Sequence, residues 1–568
     1  MGGPGGGNTR PPSNWVEALL ALLLLAVSTG LCLDTLRTSS ATTDEPVLIT
    51  AGVEIVREGT GRWNPDHPPL AKALAGLALT GLDLRPPESP FDDGPTGPRL
   101  VRFLFENRTP PETILWRARL PFVGLLVLLL LAVRSEGRRL FGPAGGLAAL
   151  AFAALNPNLV AHSGVVQTDV AVTAFVLLSL GPLSRLRDES AHSAAPLLGL
   201  FWGLAFLSKY SAPLVVLCLA PLALIGGYKP RPAYTGLPAA VAKRLLVALL
   251  VALLVVLAGF VFAYRNQSPE DRDAVARDRL LTRGNSPESY RIASVLGEVS
   301  GVAANLFIGP DSVRLQSRKG AGVNFFLGHI SVEGSPLYFP VALLAKAPLA
   351  LLLGALAGAV TPEGRRLGAA AAIALVVFLV ASVGSTYNIG VRHLLFAFPL
   401  LALLAGALVA PRHGTSRVVL LAGLLATLAV ETLPVHPFEM SYFNAAAGGA
   451  EGGRRFFVDS NLDWGQDLAR LAVAAPRFSL DPIPAVVFGG DLPRRYPTLR
   501  PVAPSDEERP GAVIAVGEQP FAIGPELLRS KGGVRDAERL ESLRDALRER
   551  GERIGTVGGS IGIWRVAR

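Results

Sequence analysis

The sequence predicts a polytopic α-helical membrane protein of about 11 transmembrane helices, with two interfacial helices in the first outer loop and a C-terminal soluble α/β domain. Three observations carry this reading. Of the 568 residues 50% are hydrophobic and only 17% charged, and the mean hydropathy of +0.40 does not fit a soluble chain of this length. Apolar runs of membrane length recur between residues 15 and 434, with arginines and lysines in alternate gaps. Beyond Pro434 the apolar runs shorten to strand length. The net charge of +9 sits in those short basic clusters, so it reads as an orientation signal; membrane lipids are the expected surroundings and nucleic acid is not an expected partner. Cys32 and Cys218 both fall in apolar runs and read as small core residues.

Taken in order, residues 1–14 are rich in Gly and Pro and predict a flexible cytosolic tail with no small-residue cleavage site, so the run at 15–33 stays as a helix. Further runs lie near 117–133, 141–156, 167–183, 195–208, 211–227, 243–264, 337–358, 367–384, 392–410 and 416–434. Arg134, Arg138 and Arg139 separate the second and third runs, and Arg185 with Arg187 the fourth and fifth. Lys229, Arg231, Lys243 and Arg244, then Arg365 with Arg366, then Arg412 with Arg417, occupy the later alternate gaps. All these loops fall on one side if eleven helices alternate, and the positive-inside rule makes that side the cytosol. The loops 34–116 and 265–336, the turn around Asn388 to His393 and everything after the last helix then face outward. In the first outer loop, Glu45-Pro46 opens a helix with Leu48, Ala51, Gly52 and Ile55 at helical spacing, expected to lie flat on the membrane. A second amphipathic helix opens at Pro68-Pro69 and runs through Leu70, Ala73, Leu74 and Leu77, with Lys72 on its polar side. The division is therefore a tail at 1–14, a transmembrane domain at 15–434 and an extracytoplasmic domain at 435–568. In the last, strands are expected at 485–489, 512–516 and 561–566, and a charged helix at 534–549 packs Leu540, Leu543 and Leu547 on a small sheet.

Asp44 and Glu45 stand about ten residues past the first apolar run, close to the water–membrane boundary. Carboxylates there are costly and rarely idle, and an enzyme that uses a lipid-linked substrate needs its base at that depth. One tempting motif fails: Asp459, Asn461 and Asp463 match the first ligand positions of a calcium loop, but Trp464 and Arg470 stand where Gly and Glu are required. The same acids read instead as a solvated stripe, Asp459, Asp463 and Asp467, at a helix start.

Several blocks in this order match a known family. They are the acidic pair, His67-Pro68-Pro69-Leu70-Ala71-Lys72, Trp116-Arg117-Ala118-Arg119-Leu120-Pro121 and Gln167-Thr168-Asp169, followed by Leu207-Ser208-Lys209-Tyr210 and Gly328-His329. Tyr338-Phe339-Pro340, Lys346-Ala347-Pro348, Arg392-His393-Leu394, the block from Phe438 to Asn444 and the aromatic-rich stretch from Asp459 to Leu468 continue the series. Together they resemble the protein O-mannosyltransferase-like branch of the GT-C glycosyltransferases, in its bacterial form, over most of the chain through about Leu468. The chain departs from the eukaryotic members, whose β-trefoil insert would not fit the loop of about 70 residues at 265–336.

The resemblance implies an inverting glycosyltransferase of the cytoplasmic membrane that moves mannose or a related hexose from a polyprenyl phosphate to a hydroxyl on an outer protein, lipid or glycan acceptor. Phosphate leaves as a stable anion, so one carboxylate that takes the acceptor proton suffices. Asp44 is the expected base, with Glu45 orienting the base or the acceptor. Arg119, Lys209, Arg392 and His393 are expected to meet the phosphate charge, Arg119 foremost, and His67, Lys72 and Asp169 are further substrate-binding candidates. No cofactor and no divalent metal are expected, because Arg and Lys can neutralise the lipid phosphate. Plainer readings compete: Asp44, Glu45 and Asp169 as helix caps, Lys209 and Arg392 as basic residues snorkelling to headgroups, and His67 as a packed histidine. A transporter or flippase of lipid-linked sugars would share the helical body, although no internal repeat is visible in the chain; a non-catalytic acceptor-binding relative would leave the carboxylates idle.

Overall fold

In the computed structural model the described residues are 14–91, 96–186, 188, 190–225, 239–319, 322–382, 386–410 and 414–567. The expected tail through Ser13 and the loop residues Arg187, Lys229, Arg231 and Arg412 lie outside them. The described chain is mainly helical. Among the described residues five helical segments are long and apolar enough to cross a membrane: Trp15–Thr38, Pro111–Ala154, Ala239–Ala263, Arg365–Ser382 and Thr415–Val435. Shorter apolar helices, Asp169–Ser184, Ala194–Ser208 and Ala397–Val409 among them, pack between these. The protein is thus a multi-pass membrane protein whose spans are less uniform than the apolar runs suggest.

Two irregularities correct the expected run boundaries. The runs at 117–133 and 141–156 belong to one helical segment, Pro111–Ala154, which breaks at Gly142 with φ 77° and ψ −176°. A side chain is strained in that conformation, so glycine is required where the chain reverses. The reversal sets Gly146 against the Arg134 carbonyl, giving a helical hairpin with Arg134, Arg138 and Arg139 toward its turn. The run expected at 337–358 is not one helix. Tyr338–Lys346 and Leu349–Ala359 meet at 105°, because Pro348 has no N–H to continue the ladder and the Lys346 ammonium turns inward to the carbonyls of Met440 (2.9 Å) and Asn461 (2.6 Å).

The first outer loop holds the expected helices at Glu45–Arg57 and Pro69–Ala78, and a further one at Thr96–Phe105. They pack against each other and into the protein body. Gly52 and Gly76 let the first two helices cross backbone to backbone, and Leu48, Ile49, Val53 and Ile55 are buried in protein. Lys72, expected on a polar face, is 1% exposed because its ammonium folds back onto the carbonyls of Asn64 and His67, both at 2.7 Å. Burial pushes that ammonium down to about 7. The loop at 265–336 folds into helices Pro269–Ala276, Pro287–Val299 and Gly301–Lys319 and an antiparallel hairpin, β1 (Asn324–Phe326) with β2 (His329–Ser331).

Beyond the last long helix, residues 436–467 run back over the helical body before a five-stranded sheet begins. Its strands are β3 (Ile483–Val486), β4 (Leu499–Pro501), β5 (Val513–Gly517), β6 (Gly551–Val557) and β7 (Ile561–Val566), in the order β4-β3-β5-β7-β6. β3 pairs parallel with β4 and β5; β7 pairs antiparallel with β5 and β6. Leu543 and Leu547 of the charged helix Val534–Arg550 pack with Ile514, Val516 and Val566 of the sheet, the side the charge pattern assigned to packing.

Candidate active site

Adjacent residues on a helix point about 100° apart. Asp44 and Glu45, at the start of Glu45–Arg57, therefore meet different surroundings. Glu45 is fully buried: Oε2 accepts from the Thr42 backbone N–H (2.9 Å), Oε1 from that of Val166 (2.9 Å), and both oxygens from Arg119 (2.7 and 2.6 Å). Asp44 makes no side-chain cap and keeps 33% of its side chain exposed, facing a cavity of about 500 Å³. Its Oδ2 accepts from Arg392 Nη1 at 2.9 Å.

The same cavity takes in His67, Asp169, Lys209, Arg392 and His393 from four separate parts of the chain. Lys209, where the helix Ala194–Ser208 ends, is ion-paired with Asp169, the first residue of Asp169–Ser184. The Arg392 guanidinium lies 4.3 Å over the Trp464 ring, and its Nε has no partner among the described residues. His393 Nε2 is likewise buried and unpaired. Burial pushes the His67 imidazole down to about 4, against the pull of Asp44, so it is neutral at pH 7. Beside it Asp66 is held below the usual carboxylate range: burial opposes its charge, but Arg279 at 3.0 Å and Ser312 at 2.5 Å outweigh that.

Three expected residues stand apart from this cavity. Arg119 is 1% exposed, and each of its guanidinium nitrogens is occupied, by Glu45 and by the carbonyls of Leu36 (2.8 Å), Ser39 (3.1 Å) and Ser40 (2.8 Å). It is a clip between the end of the first helix and Glu45, with no donor left for a phosphate. Glu45, its partner, is not among the residues that line the cavity, and Lys72 is spent on the carbonyls that shape the Asn64–His67 turn.

The acids expected as a solvated stripe are buried as well, each with its own partner. Asp459 accepts from the Tyr338 hydroxyl and from Asn461. Asp463 accepts from the backbone N–H groups of Gly465 (3.1 Å) and Gln519 (3.2 Å), and Asp467 pairs with Arg470 (2.5 Å) and Ser560 (2.6 Å). Burial pushes the Asp459 carboxyl up to about 6 and that of Asp463 well above the usual range. Asp459, Ser460 and Trp464 line the cavity, so this stretch is part of the site. The sequence carried a signal for it, the dense Asp459–Leu468 block, but no signal for Gln519. Among the described residues no group of three or more His, Cys, Asp and Glu is arranged to hold a metal ion.

The cavity draws its lining from several parts of the chain: Leu214, Val215, Phe378 and Ala381 from apolar helices, Val313, Gln316 and Ser317 from the loop helix Gly301–Lys319, and Gln519, Ile523, Leu527 and Lys531 from the C-terminal helix Glu518–Ser530 and the residue after it. A pocket lined by acids (Asp44, Asp66, Asp169 and Asp459), cations (Lys209, Arg392 and Lys531) and apolar side chains suits an amphiphile with a charged head and a second, polar reactant.

The ArnT structure from Cupriavidus metallidurans bound to undecaprenyl phosphate is similar at 14% identity and a TM-score of 0.32, covering 98% of each chain. The apo form of that protein gives 12%, 0.35, and 97% of this chain against 98% of its own. An Archaeoglobus fulgidus oligosaccharyltransferase tethered to an acceptor peptide gives 15% and 0.36, covering 74% of this chain and 54% of its own. These likenesses are too remote to carry an argument, and no curated protein matches the chain. A family model does match: residues 112–258, from the hairpin that holds Arg119 to the long helix Ala239–Ala263, fit the dolichyl-phosphate-mannose-protein mannosyltransferase family. The matched segment includes Gln167-Thr168-Asp169 and Lys209.

Proposed function

We propose that the protein is an inverting glycosyltransferase that moves a hexose, mannose or a close relative, from a polyprenyl phosphate to a hydroxyl of a protein, lipid or glycan acceptor. The observation that carries this reading is the Asp44 carboxylate, open to a 500 Å³ cavity in which Arg392, Lys209 and His393 supply nitrogen groups and the apolar helices supply a wall. The lipid enters along Leu214, Val215 and Phe378, and its phosphate is met by Arg392 and Lys209. Both cations hold a carboxylate in the resting protein, Asp44 and Asp169, so the phosphate competes for them and releases Asp44 as it binds. The acceptor oxygen then attacks the anomeric carbon from the face opposite the phosphate. Its proton passes to Asp44, the carbon–phosphate oxygen bond breaks, and the electron pair leaves with the lipid phosphate.

In this reading Glu45 and Arg119 are positioning residues that fix the turn carrying Asp44. His67 is a neutral hydrogen-bonding group toward the sugar, and no divalent metal takes part. The site faces outward at the cytoplasmic membrane, with the C-terminal domain above it and the basic loops inside, in a cell of bacterial type. The test is to incubate the purified protein with a panel of polyprenyl-phosphate sugars and extracted envelope fractions and to identify the product by mass. The expected result is one hexose added to an envelope molecule with release of polyprenyl phosphate; no consumption of any donor would sink the reading.

A further inference from the structure

Besides Arg392 Nε and His393 Nε2, a further polar group of a cavity-lining residue has no partner among the described residues. Gln519 is the second residue of the helix Glu518–Ser530 and is 7% exposed. Its backbone is held on both sides: its own N–H donates to Asp463 Oδ2 at 3.2 Å, and the N–H of Glu518 donates to the Ser560 carbonyl at 2.8 Å. The Glu518 side chain is tied in turn to Arg553 at 2.6 Å. Gln519 is among the residues that line the cavity, and its side-chain Oε1 is buried with no hydrogen-bond partner among the described residues. A buried carboxamide with an empty arm is unfavourable unless a ligand completes it. A hydroxyl, which both donates and accepts, completes it in either orientation of the amide.

We propose that Gln519 is a specificity-determining residue of this site, whose carboxamide hydrogen-bonds a polar group of the acceptor and holds it toward Asp44. This rests on the glycosyl-transfer reading above. The assignment to the acceptor follows from where the lining residues lie in the chain. Leu214, Val215, Phe378 and Ala381 belong to apolar helices, which suit a lipid-linked donor, whereas Gln519, Ile523, Leu527 and Lys531 belong to the C-terminal domain. A short path joins Gln519 to the base: Asp463 holds the Gln519 N–H, the adjacent Trp464 lies under Arg392, and Arg392 pairs with Asp44. Gln519 and Asp44 thus line one cavity and are linked through Asp463, Trp464 and Arg392.

The test uses the full-length protein in lipid nanodiscs with mannosyl-phosphoryl-undecaprenol as donor and an extracted envelope fraction as acceptor. Two products are measured, sugar transferred to the acceptor and sugar released to water when acceptor is withheld. Gln519→Met keeps the side-chain volume and removes the carboxamide. The expected result is a transfer-to-hydrolysis ratio lower by roughly fivefold to tenfold, the loss of one neutral hydrogen bond, with donor KM and melting temperature as in wild type. Gln519→Asn, which withdraws the carboxamide by one methylene, should lower the same ratio and serves if the Met variant does not fold. An unchanged ratio overturns the proposal, as does a parallel fall in transfer and hydrolysis, which marks a structural or donor-side role. A wild-type protein that neither transfers nor hydrolyses any donor overturns the transfer reading and this inference with it.

Discussion

Asp44 and Glu45 are adjacent acids, and only the structure separates them. The sequence singled out the pair and the cations around it, because the blocks that carry them survive as blocks; it could not say which way each side chain points, since one step along a helix turns a residue from a cavity to a core. Arg119 is the clearest case. Read as a phosphate ligand, it is instead a fully bonded clip, so Arg119→Met should strand the buried Glu45 and cost about 3–5 kcal/mol of stability, read as a large drop in melting temperature. Arg392→Ala should leave the melting temperature nearly unchanged and weaken binding of a polyprenyl phosphate measured directly. The reverse pattern would exchange their roles. His67 gives a pH prediction with a definite sign. Its folded value of about 4 lies below the usual 6.5, so its contribution to stability is complete above pH 6.5 and is lost as the pH falls toward 4. Asp459, raised to about 6, opposes this by favouring the fold at lower pH, while burial depresses His393 in the same sense as His67, so the acid limb should become shallower without vanishing in His67→Gln. An unaltered limb in melting curves from pH 7 to 4 would show that His67 is not its source.

At the scale of elements, the long apolar runs and the two helices of the first outer loop were legible, because 3.6-residue periodicity and Pro at a helix start are local signals. The departures arise where tertiary contacts override local pattern. The loop helices read as surface helices because their apolar faces are one-sided, yet Gly52 and Gly76 let them pack into protein on further sides. The break before Leu349 had Pro348 as its signal, but the inward turn of Lys346 depends on carbonyls almost a hundred residues or more away, at Met440 and Asn461. The Gly142 reversal was marked by Gly-Pro and by the arginines beside it. Gly142→Ala forces a side chain into a region that only glycine adopts readily and should destabilise the fold by about 1–3 kcal/mol, seen as a lower melting temperature. A neutral substitution there would mean that the two helices are not joined by this turn.

At the scale of the whole molecule, the cavity depends on the C-terminal segment as much as on the helical body. The sequence divided the chain near residue 434, which locates the change in composition, but residues 436–467 return to the body and bring Asp459 and Trp464 to the site. Composition cannot reveal such a return, because a buried aspartate and a solvated one are the same letter; burial follows from partners such as Tyr338 and Ser560 that lie far off in the chain. The claim on which the rest depends is that Asp44 activates the acceptor. The most direct measurement compares wild type and Asp44→Asn in one preparation, following polyprenyl-phosphate-hexose binding, melting temperature and transfer to an envelope acceptor. The account predicts donor binding at least as tight as in wild type, because the carboxylate that competes with the phosphate for Arg392 is gone, with a near-normal melting temperature and transfer lowered by about 10²–10⁴-fold, the usual effect of losing a general base. Transfer at the wild-type rate in the Asp44→Asn protein would contradict it.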